Sequence, residues 1–401
     1  MRPHFPTVII GNIAMLHSAD HILTTHTGSL PRPRPLLEMY GRRSRGEAVD
    51  AAAMSAAGRE AVRSAVRHQI EAGIDVGNDG EQQREGFFLY VQHRMTGFGG
   101  TWKRWPRPDV ERYPAFREME QARAAANVGV SSLAPPRIIG PVRYRDPDEA
   151  EREPRELREV LAGMKNGFAE AFMSAPSPGI LAAACKNDHY PSEEACVEAL
   201  ADALRIEYEA VVRAGFILQV DCPDLALERH RSYQDRPERE FLGFVERIVA
   251  AINGALTNVP RERVRMHVCW GNYEGPHDCD VPLASIWPVI RRANVGAFVL
   301  PFANARHAHE FKVLGKLPLA ADQVIVAGVI DTLTNFVEHP EVVADRLERV
   351  AAVVGDPHRV LAGTDCGFDS TAGQGRVAED VAWAKLRALV EGARIASARL
   401  L

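Results

Sequence analysis

Short apolar runs alternate with long amphipathic segments through most of this 401-residue chain. Most of the runs are continuously apolar, as expected of parallel strands that are covered on both faces. The alternation predicts a parallel sheet, either doubly wound or closed into a barrel. The candidate strands are 22–25, 74–77, 137–142, 180–184, 216–220, 264–268, 297–300, 324–329 and 360–362.

Well-marked helix patterns separate these runs. Ser192 can cap a helix that Gly215 ends just before the next strand. A second helix is predicted to begin at Pro340 and to end at Gly355, and an alanine-rich third helix is predicted over 47–71. Strand and helix therefore repeat as units.

The strand count decides between the two parallel architectures. Nine runs are one too many for an eight-stranded barrel, so 137–142 is assigned to a hairpin or excursion. No G-x-G-x-x-G motif follows any run, which disfavours a dinucleotide-binding fold. We predict an α/β fold, a single (β/α)8 TIM barrel over 21–401, with an N-terminal extension at 1–20. The Gly-, Trp- and Pro-rich segment 97–136 is predicted to be an irregular excursion, typical of a lid, a subunit contact or surface elaboration.

Composition narrows the class of partner. The net charge is −5 and no block of like charge occurs, so no nucleic acid or membrane partner is expected, and a small-molecule substrate is. The six cysteines have no disulfide-framework spacing, which favours a reducing cytoplasm where thiols are free to bind metal. A homo-oligomer is compatible with these features.

Polar residues that end two of the runs are the main candidates for chemistry, because a barrel builds its active site at the carboxyl ends of its strands. His267 and Cys269 end one run two residues apart, so both side chains point to the same face of a strand. Cys366 follows another run. One imidazole and two thiolates form a site that suits zinc, and three protein ligands leave one position open. Buried cysteines that pack as small hydrophobic residues are the alternative.

Five motifs follow one another near the ends of these runs: HTGSLPR at 26–32, DGE at 79–81, QVDCPDL at 219–225, HVCWGNY at 267–273 and GTDCG at 363–367. Together they resemble the cobalamin-independent methionine synthase family. The match is to the short form equivalent to its catalytic C-terminal barrel, a group that includes epoxyalkane:coenzyme M transferase-like members. The resemblance extends over residues 20–395 and implies a TIM barrel of the methionine synthase / uroporphyrinogen decarboxylase type.

The resemblance also implies a site. It implies zinc on His267, Cys269 and Cys366, and a pocket in which Ser29, Glu81 and Asp221 bind the polar end of a thiol. A carboxylate pair suits an acceptor that carries an ammonium group. The implied activity is that of a zinc-dependent methyltransferase of methionine biosynthesis, with the thiol acceptor activated as a zinc thiolate and an alkyl donor as second substrate. No catalytic acid or base is assigned.

Two departures from the family pattern bear on this reading. Pro301 stands where the family carries a glutamate that completes the zinc shell, so the fourth ligand would be water, substrate, Glu310, Cys222 or Cys279. No histidine lies between Asp331 and Asn335, where full-length synthases have one after the aspartate of the eighth strand that they use for proton transfer. This argues against a folate donor, because cleavage of an N–CH₃ bond needs acid assistance at nitrogen.

Three alternative functions stay open at this point. One is an epoxide–thiol (coenzyme M type) transferase or lyase, for which ring strain eases the need for an acid. Another is a metal-free uroporphyrinogen decarboxylase-like lyase that uses Arg32, Arg34 and Asp79 on a carboxylated substrate. The third is a binding protein that has lost catalysis.

The sequence alone does not decide the role of two further groups of residues. Trp270, Tyr273 and His277 are candidates to line the pocket or to anchor a loop. A polar group is formed by Arg306, His307, His309 and Glu310. A solvated loop or first helical turn is predicted for it, except for Arg306, for which a functional role is favoured.

Overall fold

The computed structural model describes residues 14–131 and 134–401. Within them the strands are β1 (Val76–Gly77), β2 (Phe98–Gly99), β3 (Arg137–Ile138), β4 (Glu170–Pro176), β5 (Lys186–Asn187), β6 (Ile217–Asp221), β7 (Val264–His267), β8 (Ala297–Pro301), β9 (Val324–Ile330) and β10 (Val360–Thr364). Short 3-10 helices cover Glu228–His230, Arg261–Arg263, Glu310–Lys312 and Pro357–Arg359.

The α-helices of the described residues lie between and after these strands. They are α1 (Arg34–Ser44), α2 (Ala51–Ala72), α3 (Val91–Arg94), α4 (Pro108–Glu111), α5 (Pro114–Ala126), α6 (Pro147–Ala162), α7 (Pro178–Ala184), α8 (Glu193–Arg213), α9 (Asp224–Leu227), α10 (Glu238–Ala255), α11 (Leu283–Ile290), α12 (Val313–Lys316), α13 (Pro340–Val354) and α14 (Glu379–Leu400). None of the helices in the described part of the chain has the length and apolar character needed to cross a membrane.

The main sheet is a closed parallel barrel. Seven strands are neighbours in the order β1-β4-β6-β7-β8-β9-β10. Thr24 forms a parallel bridge with Ala362 of β10, and Thr25 forms one with Val76 of β1. The segment around Thr24 and Thr25 is therefore the eighth strand and joins the two edges of the sheet. The predicted (β/α)8 fold is confirmed.

The continuous apolar runs are strands buried on both faces, as predicted. All seven residues of β9 are buried, and so are all five of β8. One set of side chains packs against the helices, while another meets inside the barrel around Phe172, Val299 and Val326. A strand covered on both sides has no polar face to expose, which explains the absence of alternation.

One strand prediction was wrong. Residues 180–184 belong to α7, and the strand of that repeat is β4, Glu170–Pro176. The apolar run of α7 is as short as a strand, so periodicity could not distinguish the two. The local signal was the cap: the Ser177 hydroxyl accepts the Ile180 N–H, and Pro178 occupies the first helical turn.

The three predicted helices are present. Ser192 caps α8 by accepting the Ala195 N–H, α13 begins at Pro340, and Gly355 ends it in the left-handed conformation. The alanine-rich helix is α2, which Gly73 ends in the same way.

The excursion at 97–136 is more regular than predicted. It contains α4 and α5, whose prolines lie in the first helical turn, where the missing N–H costs nothing. The prediction that this segment lacks regular structure was therefore wrong. Placement of 137–142 outside the barrel is confirmed, because among the described residues β3 pairs only with β2 and β5, in a separate small sheet.

Residues 14–20 pack under the barrel, at the amino ends of its strands. The backbone N–H groups of Met15 and Ser18 donate to the carbonyls of Glu262 and His358, and Met15 is buried. The other thirteen residues of the predicted extension lie outside the described residues. The division of the chain into 1–20 and 21–401 stays a prediction.

A buried ion network connects the outer helices to the barrel. Arg84 donates to Glu153 of α6 (2.9 Å) and to the Ser174 carbonyl of β4 (2.7 Å). Arg94 pairs with the same Glu153 and, at 3.5 Å, with Glu207 of α8. Burial alone would raise the pKa of Glu153, but the two guanidinium groups lower it from 4.5 to about 2. Glu153 is thus ionised in the folded protein.

Replacing Glu153 with glutamine is expected to lower the free energy of unfolding by about 3 kcal/mol at neutral pH, because two buried guanidinium groups lose a carboxylate. The depressed pKa means that this contribution is complete above pH 4.5 and is lost as the pH falls toward 2. Denaturant titrations should therefore show the difference from wild type narrowing over that range. Glu151→Gln, on the exposed side of α6, is the control and should change stability by less than about 0.5 kcal/mol. Equal losses in both variants would contradict the assignment.

Candidate metal centre

The three predicted metal ligands meet at the carboxyl ends of two barrel strands. His267 is the last residue of β7, and Cys269 follows it by two. Cys366 comes two residues after β10 ends at Thr364. One ligand atom from each of the three side chains lies within 4.8 Å of the others, and the two Sγ atoms are 3.9 Å apart. The fold therefore brings residues from distant parts of the chain to one point.

The His267 ring is oriented for coordination. Its Nδ1 lies 3.2 Å from the Val299 carbonyl oxygen of the neighbouring strand β8. A carbonyl can only accept, so Nδ1 carries a proton. In the neutral ring Nε2 then has a free lone pair, and this buried atom has no hydrogen-bond partner among the described residues. A histidine ligand held through its other nitrogen is a common arrangement at metal sites.

The two thiols differ in acidity. The hydrogen bond with Cys366 and the adjacent His267 imidazole place the pKa of Cys269 well below its ordinary value. The same hydrogen bond and burial raise the pKa of Cys366. Without a cation only one sulfur of the pair is readily ionised, whereas a divalent metal would stabilise both thiolates.

This donor set fits a zinc ion. One imidazole nitrogen and two sulfurs are ligands that zinc prefers, and a three-ligand shell leaves one position for substrate. No fourth His, Cys, Asp or Glu of the described residues joins the group. The candidates for a fourth ligand are engaged elsewhere: Glu310 contacts His307 and the Leu283 N–H, Cys279 contacts Asp278, and Cys222 contacts the Val220 carbonyl.

Asp365 anchors the loop that carries Cys366. Its carboxylate accepts the backbone N–H groups of Phe302, Ala303 and Asn304 at 2.7–3.0 Å, together with the Asn304 side-chain amide. Burial raises its pKa to about 7, and these donors oppose the shift. Asp365 thereby ties the segment after β8 to the loop that carries Cys366. Sequence reasoning did not assign this role, although the residue lies within the GTDCG motif.

The predicted substrate-binding residues line the same cavity as the three metal-ligand candidates. Ser29, Glu81 and Asp221 share this space, which has a volume of about 490 Å³. Glu81 has a φ of 55°, a left-handed conformation that is uncommon outside glycine. Its Oε1 accepts the Ser174 hydroxyl at 2.7 Å, while the buried Oε2 has no partner within the described residues. Strain and an unpartnered oxygen on one side chain are typical of a binding site.

Asp221 ends β6 and brings a second carboxylate to the cavity. Its Oδ1 accepts the Gln219 side-chain amide at 2.7 Å. Burial raises its pKa to about 8, and the negative charge of Glu81 adds to this rise. Burial likewise raises the pKa of Glu81. It is costly to ionise two buried carboxyl groups in one cavity, and a bound cationic ligand would lower this cost.

Two glycines allow these residues to approach one another. Gly28 has a φ of 135°, and a Cβ there would lie 2.6 Å from Glu81 Oε1. A Cβ on Gly367 would lie 2.0 Å from Ser29 Oγ. The motifs at 26–32, 79–81 and 363–367 are therefore packed together at one end of the barrel.

Arg32 and Arg34, which were candidates to bind a carboxylated substrate, have structural contacts instead. Arg32 is buried, pairs with Asp369 at 3.0 Å and donates to the Glu81 carbonyl. Its guanidinium therefore stabilises the backbone that carries Glu81. Arg34 is exposed on α1 and pairs with Glu38. Neither is positioned for the carboxylated substrate of the decarboxylase alternative, which is therefore not favoured.

The polar group after β8 was predicted as a solvated segment with the exception of Arg306, which is wrong for two of the other three members. Arg306 and His309 are exposed, but His307 and Glu310 are buried. His307 stacks on Trp270 at 3.8 Å and lies between Glu310 and Asp280, contacts that raise its pKa to about 9 against the effect of burial. Trp270 thus anchors a loop, whereas Tyr273 lines the cavity.

The excursion forms a large part of the cavity wall, and this part is called the upper wall. From the sequence, a lid was only one of three roles predicted for the excursion. Its lining residues there include Lys103, Arg104, Trp105, Arg107, Val110, Glu111, Arg117, Glu120 and Arg123. The concentration of Arg between 104 and 123 was the available signal.

Comparisons with known proteins identify similar sequences and similar folds. No family model matches the chain. It is 24% identical over 378 residues to a methionine synthase of Saccharolobus solfataricus, covering 93% of this chain and 94% of that protein. It is 27% identical over 375 residues to a methionine synthase of Thermococcus kodakarensis, covering 93% and 92%.

Solved structures give the same result for the fold. A B12-independent methionine synthase from Shewanella sp. W3-18-1, in complex with selenomethionine, matches with a TM-score of 0.70 and 21% identity, covering 95% of this chain and 99% of that one. A putative B12-independent methionine synthase from Listeria monocytogenes matches with a TM-score of 0.61 and 19% identity, covering 96% and 99%. The predicted resemblance is confirmed.

Proposed function

Since the chain resembles the cobalamin-independent methionine synthases over nearly its whole length, we propose that it transfers a methyl group to the thiol of homocysteine. The product of that reaction is methionine, as for the curated relatives named methionine synthase. The donor is a small molecule with a transferable methyl group.

One observation carries the proposal. His267, Cys269 and Cys366 form a three-ligand group in the same cavity as two buried carboxyl groups, Glu81 and Asp221. An amino-acid thiol carries the two complementary groups, a sulfur for the open ligand position and an ammonium for the carboxylates.

The three side chains are proposed to hold zinc. A zinc ion there would lower the pKa of a bound thiol and keep it as a nucleophilic thiolate at neutral pH. The unpartnered Nε2 of His267 and the paired sulfurs of Cys269 and Cys366 support this choice of metal.

The remaining residues position the acceptor. Glu81 and Asp221 would bind the ammonium group, and Ser29 would contact the same end of the molecule. In the reaction the thiol proton leaves, the sulfur electron pair forms the S–CH₃ bond, and the donor keeps the electron pair of the bond that breaks. Holding both reactants at contact distance supplies much of the rate acceleration.

The alternatives are not favoured. A metal-free lyase was predicted to bind its carboxylated substrate with Arg32 and Arg34, but Arg32 is paired with Asp369 and Arg34 lies outside the cavity. The six cysteines are all free thiols, which supports a reducing cytoplasm as the site of the reaction.

X-ray absorption on the zinc-loaded protein tests the proposal. Homocysteine is expected to add one sulfur to the two protein sulfurs around the metal, and homoserine, which has oxygen in place of that sulfur, should add none. A thiol-consumption assay with methyl donors and small epoxides then separates methyl transfer from epoxide opening. An unchanged sulfur shell with homocysteine would refute the proposed acceptor role.

A further inference from the structure

Two arginines face the upper part of the cavity without a carboxylate partner. Arg107 belongs to the excursion, just before α4, and Arg231 follows the 3-10 turn Glu228–His230 after β6. Both line the cavity that contains the metal-ligand candidates. In the described part of the chain, neither lies at ion-pairing distance from an Asp or Glu.

Arg231 is buried, with 6% of its surface exposed. One terminal nitrogen donates to the Trp105 carbonyl at 3.1 Å, whereas the buried Nε has no hydrogen-bond partner in residues 14–131 and 134–401. A buried guanidinium with an unused donor is costly unless an anion meets it.

Arg107 is held in place by an aromatic ring. Its guanidinium lies 3.5 Å from the centre of the Tyr273 ring, and Tyr273 in turn donates its hydroxyl proton to Asp109. Stacking on a ring occupies the face of a guanidinium and leaves the N–H groups at its edge available. No described residue accepts a hydrogen bond from this side chain.

The other arginines of the upper wall are neutralised. Arg104 pairs with Glu228, Arg117 with Glu111, and Arg376 with Glu120. Arg123 pairs with Glu120 and Glu274. Among the arginines of this wall, the two without an ion pair in the described residues are therefore Arg107 and Arg231. Burial, together with repulsion from Arg104 and Arg107, lowers the pKa of Arg231 to about 9.

We propose that Arg107 and Arg231 form an anion-binding subsite that holds a carboxylate or phosphate group of the methyl donor above the acceptor thiol. Guanidinium groups bind both anions through paired N–H donors. The cavity then has two chemically distinct ends: carboxylates and metal ligands below, for an ammonium thiol, and arginines above, for an anionic donor. The identity of the bound molecule as donor rests on the proposed function, whereas the binding of an anion does not.

Calorimetric titration of the purified full-length protein with inorganic phosphate, and separately with glutarate, tests the subsite in low-chloride buffer. At least one anion is expected to bind saturably, and the tighter of the two identifies the donor group. Arg107→Gln and Arg231→Gln should each weaken that binding about tenfold or more, as expected for loss of a charge-assisted hydrogen bond. Arg231→Lys keeps the charge and should bind more tightly than Arg231→Gln.

Arg112→Gln is the matched control, because it removes the same charge from the same excursion at an exposed position outside this cavity. It should leave anion affinity and turnover unchanged. Absence of saturable binding by wild type, or equal affinity in Arg107→Gln, Arg231→Gln and wild type, would overturn the proposal. Cys269→Ala should still bind the anion, so that failure of the metal assignment and failure of the subsite give different results.

Discussion

Replacement of Cys269 by alanine is expected to abolish turnover and to weaken zinc binding by more than about 100-fold. Loss of a residue that only hydrogen-bonds to a metal ligand can already weaken metal binding by up to about 100-fold, and loss of the ligand itself should weaken it further. The same result is expected for His267→Ala and Cys366→Ala. Each leaves only two of the three donors that lie within 4.8 Å of one another. Elemental analysis after dialysis, followed by competition with a chromophoric chelator, measures the effect on the metal.

Cys279→Ala is the matched control for this experiment. Cys279 lies outside the three-ligand group, and its sulfur contacts Asp278. That variant should retain full zinc content and activity. A Cys269→Ala protein that keeps wild-type zinc and turnover would remove the basis of the metal assignment.

Glu81→Gln and Asp221→Asn are expected to weaken homocysteine binding by roughly 10- to 100-fold each, because a hydrogen bond to a charged group contributes about 1.5–3 kcal/mol. Both changes keep the shape of the side chain and remove the negative charge that it would carry beside a bound ammonium group. Glu81 has an unpartnered oxygen for such a bond, and Asp221 faces the same cavity. Homocysteine affinity of the zinc-loaded protein, measured by calorimetry, is the readout.

The selective control is a thiol without the amino group, 4-mercaptobutanoate. Its affinity should be similar in wild type and in both variants, since it has no ammonium for the carboxylates to bind. Zinc content should also be unchanged, which separates this effect from damage to the metal group. Parallel losses for both thiols would show that the carboxylates act on the fold of the site rather than on the ammonium.

Much of the fold could be predicted because its signals are local. Continuous apolar runs gave the barrel strands, and caps such as Ser192 and Gly355 gave the helix ends. The failures were also local: α7 has a run as short as a strand, and the prolines of α4 and α5 lie where a helix tolerates them.

The site was predicted less completely. The H-x-C pair follows from strand periodicity, and the five ordered motifs placed Ser29, Glu81, Asp221 and Cys366 at strand ends, where the barrel brings them to one cavity. Their roles as ligands and substrate contacts stay predictions. The burial of His307 and Glu310 was missed because it depends on Asp280 and Trp270, which no local pattern connects to them.

The amino-acid order by itself determined the class of fold, the spacing of the His-x-Cys pair at the end of β7 and the type of metal that its side chains would suit. Those properties depend on period, residue chemistry and spacing within a few positions. Only the tertiary structure decided how close Cys366 lies to Cys269, how Asp365 anchors its loop, and which arginines lack partners. The reason is physical: distances, burial and ion pairing between residues far apart in the chain are set when the barrel closes and the excursion packs over it.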